Sequence, residues 1–349
     1  MPLCLRTKKK CGETIRRALI SMGLLDFNFL PCKEGQDIWF ALKKRPDKTQ
    51  AAELKKVCDF SIEEKELFTS EHRYKSFKDV LREKLTEKEA EQLVTSFDVV
   101  GDIAIIEIPK SLEDKKHFIG EALLKVHPHL KTVARICGEH TGEYRLRPVE
   151  IIAGDKKTVT LHKESGCLFR VDIAKTYFSP RLSFERMRIA RLIQPNEVVG
   201  AWFAGVGPFP IIFAKHTKMD CAWAIELNPD AYALLIENIK LNKCENKVRP
   251  IHGDVKKIVP NLKEKFDRIV MPMPKGAEEF LDEVFLSAKA DCKVHFYRFA
   301  DAKKPFEEAE QHILAAAEKN SRSAVFLEKR IVRSVSASKV QIVIDFEVK

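Results

Sequence analysis

The sequence predicts an α/β chain whose C-terminal half is built on a mostly parallel sheet. From Ser179 onward, strand-like apolar runs alternate with helical segments, and three successive strand candidates end in a glycine turn or an acidic residue. Composition sets the frame: 349 residues, 45% hydrophobic and 32% charged, are globular and too many for a single ordinary core.

The elements follow in order. Ser179-Pro180 predicts a helix start, with a hydroxyl N-cap before proline at the first helical position, and the helix runs through Leu182, Met187, Ile189 and Leu192. A strand over Glu197–Trp202 leads into Phe203-Ala204-Gly205-Val206-Gly207-Pro208-Phe209. A second, Cys221–Ile225, ends in Glu226, and a helix over Pro229–Leu241 follows. The third, Val248–Ile251, ends in His252-Gly253-Asp254; the fourth, Phe266–Met271, in Pro272-Met273-Pro274-Lys275. Val294–Phe299 and Val340–Phe346 close the sheet. Upstream, residues 1–65 form a small α/β unit with a helix over Gly12–Met22 and a strand over Ile38–Leu42. The Lys- and Glu-rich stretch from Ser61 to Glu91 reads as solvated helices or a linker, with the linker placed at 66–95. Residues 96–175 form a middle domain: a strand-like run over Val99–Ile108, a helix over Leu112–His127, and short strands near Glu143–Ile152, Thr158–His162 and Cys167–Asp172. The last domain spans 176–349.

Lys and Arg outnumber Asp and Glu by 61 to 51, a net charge of +10. That excess suits a polyanionic partner, and equally a basic protein without one. The uncharged run Val198–Ala214 is interrupted by glycines and prolines, which excludes a membrane span there, and Lys8, Lys9 and Lys10 lie where a signal core would be. The nine cysteines form no CxxC pair and read as scattered thiols of a cytoplasmic protein, neither a zinc site nor a disulfide framework.

The strand ends carry the chemistry. Gly205 and Gly207 let the backbone approach a charged ligand, Glu226 is placed to accept hydrogen bonds from ribose hydroxyls, and Asp254 to meet an adenine amino group. Together they describe a nucleoside-shaped crevice; the plainer alternative is a tight turn with Glu226 on the surface.

The loop Phe203–Phe209 resembles the cofactor loop of archaeal and eukaryotic tRNA (guanine-37 N1)-methyltransferases. So do Asp172-Ile173-Ala174-Lys175-Thr176-Tyr177-Phe178-Ser179-Pro180-Arg181-Leu182 with Glu185-Arg186, the start Met1-Pro2-Leu3-Cys4-Leu5, Gly142-Glu143-Tyr144-Arg145 and Leu327-Glu328-Lys329-Arg330-Ile331-Val332. The resemblance implies a class I S-adenosylmethionine-dependent methyltransferase fold, Rossmann-like, with a fused middle α/β domain and a small N-terminal domain that contacts the tRNA body. It implies S-adenosylmethionine as cofactor, held by Tyr177, Phe203, Gly205, Val206, Gly207, Glu226 and Asp254. Glu185 then matches the base that removes the guanine N1 proton, and Arg145 the cation at guanine O6. Arg145, Tyr177, Arg181, Arg186 and Lys275 are expected at the anticodon stem-loop. The resemblance implies neither metal nor membrane, and a monomer is expected. On spacing alone, Glu185 fits helix-surface ion pairs with Arg181 and Arg188, Arg145 a phosphate contact, and Tyr177 core packing.

Two departures stand beside the matches. The family's first strand ends in an aspartate where this chain has Ala201-Trp202, and its Asn-Leu-Pro-Lys reads here Pro272-Met273-Pro274-Lys275. Pro272, at the position of a catalytic asparagine, has neither the amide side chain nor a backbone N–H. Three readings stay open: methylation of guanosine 37, a wyosine-pathway transfer at the same position, and a slow or non-catalytic tRNA-binding paralogue.

Overall fold

The computed structural model describes residues 1–67, 77–93, 95–138, 144 and 146–349, and divides into two compact units, Met1–Glu83 and Lys84–Lys349.

The first unit contains β1 (Leu3–Lys8), α1 (Gly12–Ser21), β2 (Cys32–Glu34), β3 (Asp37–Ala41), α2 (Lys48–Val57), β4 (Phe60–Glu64) and α3 (Phe77–Leu81). Its strands pair antiparallel in the order β2-β3-β1-β4, and Leu5, Ile15, Leu19, Phe40 and Leu54 form the core beneath the helices. Two expectations change here. Ser61 opens the stretch read as a charged linker, yet Phe60–Glu64 is a strand, because pairing with β1 satisfies its backbone whatever its charge. Cys11 and Cys58, read as free thiols, form a disulfide. They flank the start of α1 and the end of α2, and helix packing brings their Cα atoms within 6.3 Å across a sequence separation of 47, which no local motif reveals.

The second unit opens with α4 (Glu87–Gln92) and a sheet of β5 (Phe97–Val100), β6 (Ile103–Ile106), β7 (Thr132–Ile136) and β8 (Val149–Gly154), with α5 (Lys116–Val126) crossing between β6 and β7. The single run expected over Val99–Ile108 is two strands, because Gly101 at φ +58° turns the chain into a hairpin. Next comes a hairpin of β9 (Val159–Glu164) and β10 (Cys167–Asp172). Its β10 edge is closed by side chains rather than by another strand. Asn238 accepts from Arg170 N at 2.7 Å and donates to Arg170 O at 3.0 Å, and Asn242 does the same at Leu168, at 2.9 and 2.6 Å. Two asparagines four apart on one helix face thus reproduce a ladder and cover the edge.

The large sheet carries α6 (Ser183–Leu192), β11 (Val198–Trp202), α7 (Pro208–His216), β12 (Cys221–Glu226), α8 (Pro229–Leu241), β13 (Val248–His252), α9 (Val255–Ile258), β14 (Phe266–Met271), α10 (Leu281–Ser287), β15 (Ala288–Asp301), α11 (Glu307–Lys319), β16 (Ala324–Ser334) and β17 (Lys339–Val348). The order is β13-β12-β11-β14-β15-β17-β16, parallel except at β17. Strand order reverses beside β11, so a crevice opens at the carboxyl ends of β11, β12 and β14. Ser179 does not cap through its hydroxyl. A 3-10 turn over Pro180–Leu182 precedes α6, and the Ser179 carbonyl accepts from Arg186.

Candidate cofactor and target-base site

Burial of Trp202 anchors the end of β11, and the chain then turns through three left-handed residues: Phe203 at φ +54°, Gly205 at +57° and Gly207 at +91°. A Cβ at Gly207 would lie 2.5 Å from the terminal methyl of Leu235 and 2.9 Å from that of Ile211, side-chain ends that can shift, so it is the left-handed backbone that requires glycine there. Gly205 N donates to Glu226 Oε2 at 2.6 Å, and Asn228 N to Oε1 at 2.8 Å. Each carboxylate oxygen keeps lone-pair capacity for a further donor. Burial pushes the Glu226 carboxyl above its usual range, and the backbone N–H bonds from Asn228 and Gly205 pull the other way. Gly253 N donates to Glu226 O at 2.9 Å, tying the second strand end to the third. There Asp254 caps α9 by accepting from Lys256 N at 2.9 Å. Val206 is fully buried and its carbonyl accepts from Asn238 at 2.9 Å, so it shapes the loop through its backbone. The donor set fits the adenosine half of S-adenosylmethionine: an acceptor pair for ribose at Glu226, and backbone clearance at the glycines. Replacing Gly207 by Ala is expected to cost about 1–3 kcal/mol in strain and to weaken S-adenosylmethionine binding about tenfold or more, read by calorimetry. Gly205→Ala, which meets only the Tyr177 carbonyl oxygen at 3.6 Å, weakens it less.

Glu185 sits in the first turn of α6 with 2% of its surface exposed. Its Oε2 accepts from Tyr297 OH at 2.9 Å and from Arg188 Nε at 3.0 Å. Its Oε1 lies 3.3 Å from an Arg330 guanidinium nitrogen without a hydrogen bond to it, and is a buried acceptor with no hydrogen-bond partner among the described residues. An unsatisfied buried carboxylate oxygen is costly unless something donates to it. Arg188 is fixed in turn by Asp345 at 2.5 Å, which His295 bonds at 2.7 Å. Arg268 reaches His295 at 2.7 Å and clasps Glu197 at 2.7 and 2.9 Å. Burial raises the Asp345 carboxyl, but His295 and Arg188 outweigh it and hold the group down at about 2. The site and the cofactor loop are neighbours: Phe209, just past Gly207, packs edge-on against Tyr297 with ring centres 6.3 Å apart.

Of the other expected site residues, Tyr177 is half-exposed, with its carbonyl beside the Gly205 turn. Arg181 pairs with Asp98 at 2.6 Å on the exposed side of β5. Arg186 does not present itself to a substrate: it is fully buried between Phe178 and Phe209, and clasps Glu164 at 2.7 and 2.8 Å. Pro272 directly follows β14 at the mouth of the crevice, and Lys275 is exposed on the loop beyond it. Arg145 lies outside the described residues. Sequence reasoning missed Tyr297 and Arg330 as neighbours of Glu185 and Asp345 as the partner of Arg188. They lie 112 to 157 residues from the side chains they meet, on strands whose pairing brings them in, and no local spacing signals them.

Residues 160–325 match the TRM5/TYW2 methyltransferase domain, residues 77–158 the TYW2 N-terminal domain, and residues 4–50 the tRNA methyltransferase 5 N-terminal domain. The tRNA (guanine(37)-N(1))-methyltransferase Trm5b of Pyrococcus abyssi is 37% identical over 348 residues, covering 100% of this chain and 99% of the relative. The chain belongs to the TRM5/TYW2 methyltransferase family. Trm5b of Methanocaldococcus jannaschii is also 37% identical, again across 100% of this chain and 99% of its own length. The tRNA 4-demethylwyosine(37)-methyltransferase Taw21 of Saccharolobus solfataricus is 34% identical over 72% of this chain and 92% of its own. Among solved structures, Trm5b from Pyrococcus abyssi superposes with a TM-score of 0.75 at 36% identity over 100% of both chains. A complex of aTrm5 with tRNALeu gives 0.74 at 36% identity, also over 100% of both. Pyrococcus horikoshii TYW2 in complex with MeSAdo gives 0.65 at 27% identity over 79% of this chain and 98% of that one. The TRM5/TYW2 relationship agrees with the class I fold and the S-adenosylmethionine cofactor expected from the loop. Among the described residues no helix is long and apolar enough to cross a membrane.

Proposed function

We propose that this TRM5/TYW2 family member transfers the methyl group of S-adenosylmethionine to N1 of guanosine 37 in tRNA, in the cytoplasm. The observation that carries the reading is Glu185: a buried carboxylate with one oxygen anchored twice and the other facing Arg330 without a hydrogen bond among the described residues, one aromatic layer from the cofactor loop.

Guanine N1 carries a proton and is a poor nucleophile until that proton leaves. Glu185 takes it, and the lone pair left on N1 attacks the methyl carbon. S-adenosylmethionine supplies that carbon as a sulfonium methyl group. As the N1 proton leaves, negative charge spreads onto guanine O6, where the family resemblance assigns Arg145, and it is quenched as N1 takes the methyl group and the C–S bonding pair stays with the departing sulfur. Glu226 orients the ribose, and the glycine turn admits the cofactor backbone-close. A base inside the stem-loop stack is out of reach of a buried carboxylate, so the guanosine is flipped into the crevice. In the first unit, Lys8–Lys10 and Lys43–Arg45 are exposed at opposite ends of the β1–β3 pair and supply phosphate contacts to the tRNA. Affinity for tRNA is therefore expected to fall steeply with salt. Replacing Lys43, Lys44 and Arg45 by alanine should flatten the log–log slope by about 1 for each phosphate that is no longer neutralised. A filter-binding titration in which slope and affinity stay unchanged would show that this surface does not meet the tRNA.

A second reading is favoured by two observations: the TYW2-type match over residues 77–158, and Pro272 where the family's asparagine stands. It has the wyosine-pathway base as acceptor. Against it, the Trm5b relatives align over 100% of this chain and Taw21 over 72%, and residues 4–50 match the Trm5 N-terminal domain. Methyl transfer to unmodified transcripts followed by nucleoside analysis separates the two: 1-methylguanosine from guanosine 37 supports the first reading, and label only on tRNA carrying 4-demethylwyosine supports the second.

A further inference from the structure

We infer that Glu185 works asymmetrically: Tyr297 holds Oε2 as a positioning residue, so that the proton from guanine N1 is taken by Oε1. The inference rests on the reading of Glu185 as the base. The geometry allows little else. Oε2 already accepts two bonds, 2.9 Å from Tyr297 OH and 3.0 Å from Arg188 Nε, whereas Oε1 accepts none among the described residues. Both donors are themselves held. Tyr297 is fully buried on β15 against Phe209, and Arg188 is locked by Asp345 on β17, with Glu328 of β16 at 3.5 Å. The remaining charged neighbour is Arg330 of β16, 3.3 Å from Oε1, which also lies over the exposed Phe184 ring at 5.5 Å. The carboxylate therefore cannot rotate to exchange its oxygens without breaking two bonds, and a base edge entering past Arg330 meets Oε1.

The Tyr297 hydroxyl donates to Glu185 Oε2. Its loss leaves that oxygen with one anchor, so the carboxylate can turn and Oε1 is no longer held toward the base edge. In the full-length Tyr297→Phe protein the ring still packs on Phe209 while the hydroxyl is gone. The single-turnover rate of methyl transfer to tRNA with guanosine 37, at saturating cofactor and tRNA, is expected to fall about tenfold, as for one lost hydrogen bond to a charged group, while KM for tRNA and S-adenosylmethionine affinity stay within about twofold. Melting temperature serves as the folding control. A loss shared by KM, cofactor affinity and melting temperature means packing rather than positioning, and overturns the inference. So does a wild-type rate. Arg188→Lys, which keeps a charge but withdraws the second bond to Oε2, is the independent variant and is expected to lower the same rate with KM unchanged. Glu185→Gln separates the two levels: if that protein still transfers methyl groups, the reading of Glu185 as base fails. If it is inactive while Tyr297→Phe keeps the wild-type rate, only the asymmetry fails.

Discussion

Glu185→Gln is expected to lower the single-turnover methyl-transfer rate by about 10²–10⁴-fold, the range that a positioned general base supplies. S-adenosylmethionine binding should change by no more than a few-fold, because Glu185 takes no part in the Glu226–Gly205 cradle. Glutamine is nearly isosteric, and its amide oxygen can still accept from Tyr297 and Arg188. Its NH2 then faces the position of Oε1, beside Arg330, and presents donors where the base edge needs an acceptor. Single-turnover rates with labelled cofactor read the first effect and calorimetry the second. Activity within tenfold of wild type would remove Glu185 from the chemistry.

The second large effect is structural. Asp345 is buried and binds both the half-buried Arg188 and the buried His295. Removing it in Asp345→Ala leaves a guanidinium and an imidazole without their shared acceptor, and is expected to cost about 3–5 kcal/mol. For a protein of this size that lowers the melting temperature by roughly 1–2 °C per kcal/mol. The exposed pair Lys349–Asp291 is the contrast: Lys349→Ala should leave the melting temperature where it was. The pH dependence has a definite sign. The Asp345 carboxyl is held at about 2 in the folded protein, below its unfolded value. Its contribution is complete above that unfolded value and is lost as pH falls through about 2. Thermal melts between pH 4 and pH 2 should therefore show a shallower acid slope for Asp345→Ala than for the wild type.

The legible part of this protein lay where signals are local. The β10, α8 and β14 boundaries, Cys167–Asp172, Pro229–Leu241 and Phe266–Met271, coincide with those expected from periodicity and caps. The glycine turn and Glu226 were visible because a loop between strand and helix keeps its chemistry within a few residues. What stayed hidden needed the sheet to close. Ala324–Ser334 mixes exposed apolar residues with Glu328, Lys329, Arg330 and Arg333, and only its pairing with β17 makes it a strand. The same closure delivers Tyr297 and Arg330 to Glu185, and Asp345 to Arg188. Spacing pointed instead to an Arg181–Glu185–Arg188 surface array; Arg188 is indeed a partner, but in a buried network, while Arg181 turns to Asp98. Arg186 misled for a related reason. An arginine in a motif that resembles an RNA-modifying family reads as a phosphate ligand, and nothing local shows that Glu164 claims it from the neighbouring hairpin.

The central claim, methylation of guanosine 37 at N1, is tested most directly by incubating the full-length protein with labelled S-adenosylmethionine and unmodified tRNA transcripts bearing G or A at position 37, followed by nucleoside analysis. The expected result is label in 1-methylguanosine from the G37 transcript and none from the A37 transcript, with Pro272 tolerated. Equal labelling of both transcripts, or no label on G37 from a protein that binds both cofactor and tRNA, would contradict it.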